Sequence, residues 1–449
     1  MSYQPKSKLQ RTSKKNWYAH LPIAALVLWT FMWMNLNTGF WNIQAPSGAD
    51  ELQLFLRALL PFLTLPVATF LLLHHGMPRL PSNSPSRLLL FYGFIAAIAT
   101  TFSPVPAWSA YWSVTFLATV IVAWACIDRR DPMLCSRMLL QVTWAATFIV
   151  AAVLAYQARN SVFGGDSTAY FGVVSDLNGL SRSSGVARWA AVPGLVCIVR
   201  IFHTRRRALI AFYVGIAAIS FYIVYRMQSR GAIFGSVAAL LFVLLVSSRM
   251  RRYALPFAII SMTVILLVET PEVASNRVAE YLERGQSQEE FVTLTGRTRA
   301  YEHGLAAFYD APIFGRGQWA DRLTIGEHVH NSYLQALLNG GLIGGIPYLA
   351  SWLAGWFLFF KLQKRRLRLS PEDRICLLEA GAVMMFFTVR AIPETTTASF
   401  AVDLLVMVAV YVYMETLTTC ALRRPVRARA PIHLKPHGAR VAVRMPHTS

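Results

Sequence analysis

Long apolar stretches alternate with short polar ones along most of the chain. The first, "LPIAALVLWTFMWM" (Leu21 to Met34), carries no charge, and runs of similar character recur nearly to the C-terminus. About 20 consecutive, predominantly apolar residues are needed to cross the hydrocarbon core of a bilayer as a helix. The pattern predicts twelve such spans, at about 18–36, 52–73, 88–104, 109–127, 138–156, 188–203, 208–225, 231–248, 253–268, 333–360, 375–393 and 400–418. The expected fold class is therefore all-α: a polytopic membrane protein of about 12 transmembrane helices, with a partly helical periplasmic loop between spans 9 and 10. No small-residue cleavage site follows the first run, so it is read as a retained span.

This division sets the expected organisation. Residues 1–17 form a basic cytoplasmic N-terminus, and 18–268 hold spans 1–9 with a periplasmic loop at about 157–187. Residues 269–332 make the large periplasmic loop, 333–418 hold spans 10–12, and 419–449 form a basic cytoplasmic tail, Pro- and Arg-rich and expected to be disordered. Within the large loop, "GRTRAYEHGLAAFY" is predicted helical, with Thr295 as N-cap and Pro312 as stop. Arg297, Tyr301, Leu305 and Phe308 then share an inward face, while Arg299, Glu302 and His303 turn to water.

Composition agrees. The chain is 55% hydrophobic and only 14% charged, against roughly 25% charged in soluble proteins. Its net charge of +21 first suggests nucleic acid. The distribution redirects that reading: with both termini inside, cytoplasmic segments hold 30 of the 43 Lys and Arg, as in "HTRRR" and "KLQKRRLR". This is the positive-inside pattern, with membrane lipid as the partner and no nucleic acid. None of the five cysteines lies in an outer loop, so no disulfide framework is implied.

The 13 cationic residues left on the outer side are all arginine. A guanidinium binds phosphate in bidentate fashion and an ammonium does not. Arg226 and Arg230 flank the outer turn between spans 7 and 8, where cations are costly, although snorkelling to headgroups also explains Arg226. Arg297, on an inward stripe, needs an anionic partner, and a structural ion pair with a loop acid is its alternative. Arg182 and Arg188 bracket "SRSSGVAR", which offers donors to a phosphate or a sugar; Arg188 equally suits an interfacial anchor beside Trp189.

"EHVHNSYLQALLNGGLIGG" opens span 10. Ser332 and Gln335 have capping-box spacing, which starts a helix there. His330 then sits at the positive end of that helix, which favours a neutral imidazole able to accept a proton. An idle loop histidine is the alternative. Four glycines, at 340, 341, 344 and 345, let neighbouring helices approach. Glu327, His328 and His330 lack a third strong metal ligand nearby in sequence, so no metal is expected. Motifs for nucleotide phosphates, zinc proteases, Mg²⁺-held sugar nucleotides and the hydrolase nucleophile elbow are missing.

Three stretches, "SRGA" at 229–232, "GRTRAYEHGLAAFYDAPIFGRG" at 296–317 and "HNSYLQALLNGGLIG" at 330–344, resemble the O-antigen ligase and polymerase superfamily of bacterial envelope glycosyltransferases. The last fits H-[NSQ]-x9-G-x-x-G at His330, Asn331, Gly341 and Gly344. The resemblance implies His330, Arg230 and Arg297 as catalytic residues, with Arg182, Arg188, Arg226, Tyr301, His328 and Asn331 expected to complete the substrate-binding surface. It implies an inverting, metal- and cofactor-independent glycosyltransferase in the bacterial inner membrane, its site facing the periplasm. The glycan moves from undecaprenyl diphosphate to a sugar hydroxyl of lipid A–core. A polymerase using the same donor is the alternative. A protein O-oligosaccharyltransferase ranks below it, because no extra C-terminal domain is expected, and so does a polysaccharide transporter, because the candidate residues gather at one surface and not at the bilayer midplane.

Overall fold

The computed structural model describes residues 21–34, 48–157, 159, 183–253 and 297–421. No strand occurs among them, and their helices include α1 (Leu21–Met34), α2 (Gly48–His75), α3 (Pro85–Ile98), α4 (Pro106–Ala125), α5 (Pro132–Gln157), α6 (Ser183–His203), α7 (Arg207–Arg226), α8 (Arg230–Val246), α9 (Arg297–Tyr309), α10 (Ser332–Lys364), α11 (Pro371–Arg390) and α12 (Val402–Ala421). Among the described residues, seven helical stretches are long and apolar enough to cross a membrane, and the protein is an all-α, multi-pass membrane protein. Eleven of the twelve predicted spans fall on these helices. The ninth, the Thr295 cap and Arg182 lie outside the described residues.

Local chemistry sets several boundaries. Pro85, Pro106 and Pro371 occupy the first turns of α3, α4 and α11, where a missing N–H costs no hydrogen bond. Ser84 and Ser370 cap α3 and α11 by accepting from the amides of Arg87 and Asp373, each at 3.1 Å.

Helix α12 is the axis of the bundle. Its apolar span is wholly buried, as expected of a helix that is hydrophobic all round. It packs on α1, α3, α4, α5, α10 and α11. By contrast, α7 is mostly exposed, and α2 turns Phe55, Phe62, Leu63, Phe70 and Leu73 outward, as lipid-facing surfaces should.

The two ends of the bundle differ. One gathers the basic loops and is tied by charged pairs. Arg137 forks onto Asp373 at 2.7 and 2.8 Å, and Arg200 meets Glu379 at 2.7 Å. The other gathers the starts of α4, α6, α8, α10 and α12 with the 391–401 connection. There the backbone is irregular. Among the described residues, three non-glycine residues have positive φ, namely Gln228, Trp319 and His330, and all three lie at this end. Such strain clusters at functional sites.

Candidate functional site

The start of α10 and the α11–α12 connection are sewn together. Ser332 N donates to Ala391 O (3.0 Å), Thr396 N donates to Ser332 Oγ (2.6 Å), and Asn331 Nδ2 donates to Ile392 O (3.0 Å). The helix cap differs from the predicted one. Asn331 Oδ1 accepts from the amides of Tyr333 and Leu334 at 3.0 and 2.9 Å. That leaves Ser332 inside the first turn, free to bind the connection. Gln335, the expected partner in a capping box, instead donates to Asp321 (3.1 Å) and Asn339 (2.8 Å).

This stitching presents Glu394 to His330. Glu394 Oε2 lies 3.2 Å from His330 Nδ1, and Glu394 Oε1 accepts from Arg297 Nη2 at 2.9 Å. Arg297 therefore has its anionic partner, and the partner comes from the α11–α12 connection rather than from the outer loop. Burial alone would push the Glu394 carboxyl up. The His330 hydrogen bond and the guanidinium groups of Arg390 and Arg297 outweigh it and hold the group well below the usual carboxylate range. An ionised carboxylate only accepts, so His330 Nδ1 carries the proton and Nε2 presents a lone pair in the neutral ring.

Helix α9 brings Arg297 in, with a small correction to the predicted face. Its buried stripe is Ala300, Gly304 and Ala307, about one residue out of register with the expected one. Leu305 is 45% exposed, while Arg297, Tyr301 and Phe308 are half-buried at the edge. The reason is steric. A Cβ at Gly304 would sit 2.8–2.9 Å from Leu334 and Val329, so the small residues make the close face. Tyr301 then reaches the site rim, its hydroxyl 3.4 Å from His330 O and 3.5 Å from Ile392 O.

Arg230 starts α8, within electrostatic range of Arg297. Its neighbour Gly231 backs onto Pro393, which precedes Glu394, and onto Arg390 at the end of α11. Arg226 ends α7 across the three-residue turn and is half-buried. Arg188, on α6, pairs with Asp403 at 3.2 Å and lines an adjoining cleft. His328 packs edge-on to His330, ring centroids 4.4 Å apart, and its Nδ1 lies 2.7 Å from Asp321. Burial pushes His328 below the ordinary imidazole range, while Asp321, despite its own burial, is held ionised by His328.

Two functional candidates escape a reading of the chain. Glu394 is one. The other is Arg390, 1% exposed, whose Nε and Nη1 have no hydrogen-bond partner. Its signal was available, as a further arginine on the outer side of a span. Glu394 also supplies the third metal-type ligand missing near the histidines in sequence: donor atoms of His328, His330 and Glu394 lie within 4.8 Å of one another. The same carboxylate already serves Arg297, so the group is balanced by fixed cations.

The arrangement unites an oriented imidazole with several guanidinium groups at one end of a membrane bundle. It suits proton removal beside a phosphate-bearing group. No curated protein matches the chain. A family model described as O-antigen ligase matches residues 215–349, a segment that holds Arg230, Arg297 and His330. This is the family of ligase- and polymerase-type membrane glycosyltransferases, which act in general on a lipid-linked glycan donor and a lipid acceptor. Over that segment, under a third of its length, the chain is similar to the O-antigen ligase family.

Proposed function

We propose that the protein is an O-antigen ligase proper, an inverting transferase in the bacterial inner membrane with its site at the periplasmic face. It moves a glycan from undecaprenyl diphosphate to a sugar hydroxyl of lipid A–core. The observation that carries the reading is Glu394, which joins the His330 imidazole to Arg297 with Arg230 in electrostatic range.

The acceptor oxygen attacks the anomeric carbon from the face opposite the diphosphate. His330 Nε2 takes the hydroxyl proton. The carbon–oxygen bond to the diphosphate breaks, and its electron pair leaves with undecaprenyl diphosphate. Arg230 and Arg297 stabilise the charge that gathers on the departing oxygens, which is where preorganised donors contribute most. The donor carries its own activation, so no ATP is needed. The linked positions of His330, Glu394 and Arg297 support direct displacement. No metal ion takes part in this displacement.

The test is transfer by the purified, membrane-embedded protein from an undecaprenyl-diphosphate-linked glycan to lipid A–core, read as a product ladder. His330→Ala should lower the rate at least ~10²-fold with the fold intact, the usual contribution of a positioned base. Arg230→Lys and Arg297→Lys should each lose activity, because charge is kept and the fork is lost. A near-normal ladder from His330→Ala would sink the proton-acceptor role. Gene deletion separates ligase from polymerase. A ligase mutant leaves bare core while long chains accumulate on the lipid carrier; a polymerase mutant leaves core bearing one repeat unit.

A further inference from the structure

Beside the histidines lies a cleft of about 170 Å³ that neither Arg230 nor Arg297 lines. Its walls include Trp319, Arg322, His328, Gln335, Thr395 and Arg188. The floor is firmly built. Gln335, 1% exposed, spends its amide donors on Asp321 and Asn339. Asn339 in turn donates to Tyr92 Oη at 3.0 Å and to Gln318 Oε1 at 3.2 Å.

Two acceptors in the lining are left over. Gln335 Oε1 and Thr395 Oγ1 are buried and have no hydrogen-bond partner. Leaving such groups unmet is costly, so each calls for an explanation. The Arg322 guanidinium shares this lining, 4.0 Å from the centre of the Trp319 indole. The indole is itself fixed by stacking on Trp112 at 4.5 Å and 9°. Trp319 itself adopts φ 67°, a strained conformation for a residue other than glycine.

We infer that this cleft is a saccharide subsite, and that it holds the acceptor sugar beside His330. The inference rests on the ligase reading for the acceptor's identity. The chemistry matches a polyol. Sugar hydroxyls donate to Gln335 Oε1 and Thr395 Oγ1 and accept from Arg322, and the space suits one sugar ring. The His328 edge contact to His330 places the bound ring next to the proton acceptor. The phosphate-gripping arginines lie outside this lining, which leaves donor and acceptor with separate seats.

The experiment uses the full chain in nanodiscs and two probes: core oligosaccharide released from lipopolysaccharide by mild acid, and undecaprenyl diphosphate. Thr395→Val removes an oxygen with no partner in the protein and keeps the shape, so folding should hold; thermal unfolding checks this. It should weaken oligosaccharide binding ~3- to 10-fold, the worth of one neutral hydrogen bond. Arg322→Gln should weaken it about tenfold or more, as for a charge-assisted contact. Undecaprenyl diphosphate should bind both variants as it binds the unaltered protein. Unchanged oligosaccharide affinity in both variants, or no oligosaccharide binding by the unaltered protein, overturns the subsite. Failure of undecaprenyl diphosphate to bind the unaltered protein overturns the donor reading instead, and the oligosaccharide arm still decides the cleft.

Discussion

Each oxygen of Glu394 faces a different partner, Oε1 toward Arg297 and Oε2 toward His330. Replacing it with Gln keeps the shape but removes the charge that fixes the His330 tautomer and balances two guanidinium groups. Glu394→Gln should therefore lower transfer roughly 10²-fold or more, close to the effect of losing the base itself. Its pH signature follows from the lowered carboxyl. The unfolded group titrates near about 4.3, so the stabilisation it supplies is complete above that pH and is lost as pH falls through the lower folded value. Acid unfolding of the unaltered protein should steepen below about pH 4.3, and Glu394→Gln should flatten that limb. A chelator decides the metal question at the same residues. EDTA should leave transfer unchanged; loss restored by a divalent ion would make His328, His330 and Glu394 a metal centre. Glu394 could not be read from the chain, because 64 residues separate it from His330 and only tertiary stitching joins them. His330, Arg230 and Arg297 were legible because each is an unusual residue for its place in the apolar pattern.

Helix α10 shows how an element can be read correctly and its chemistry misread. Its glycines suggest helix–helix approach, and Gly344 behaves so: a Cβ there meets Ile95 at 3.3 Å and Tyr92 at 3.4 Å. Gly341 instead breaks the helix, with φ 57° and ψ −158°. The freed backbone groups are met by the loop after α9. Arg316 N and Gly317 N donate to the carbonyls of Leu338 and Asn339 at 2.9 Å, and Leu342 N donates to Pro312 O at 2.8 Å. Irregular backbone at such depth is tolerated only where protein covers it. An amphipathic pattern does not reveal this, because the pattern reports which face is buried and not which carbonyl finds which amide. Gly341→Ala would drive a Cβ into the carbonyl of Ile313 in a conformation closed to L-residues. It should cost at least ~1–3 kcal/mol, lower the unfolding temperature and abolish transfer by displacing the 312–317 loop. Gly344→Ala needs only a small shift of Ile95 and gains up to about 1 kcal/mol of helix propensity, so its unfolding temperature should stay near the original. Equal effects from the two substitutions would refute the broken-helix account.

At the scale of the whole molecule, charge and length act together. A 20-residue helix such as α12 rises about 30 Å, the thickness of the bilayer core. Its two ends therefore sit at opposite surfaces, the candidate site near one and the basic loops near the other. This organisation was the most legible feature of the chain, because hydropathy and the alternation of basic loops are additive along the sequence and need no tertiary information. The inside–outside assignment rests on those loops, and labelling tests it directly. Four of the five cysteines are buried and Cys420 is half-exposed at the basic end, so Cys420→Ser gives a quiet background. In that background, Arg299→Cys places a thiol on the exposed face of α9, and Arg365→Cys places one on the exposed connection between α10 and α11. A membrane-impermeant maleimide added to spheroplasts should label the first and spare the second until the membrane is opened. Neither residue touches His330, Glu394 or Arg297 in the contacts described, so both variants should retain transfer. Labelling in the reverse order would turn the site toward the cytoplasm, where a lipid A–core acceptor carrying its finished glycan has no reason to be made, and the ligase reading would fall with the topology.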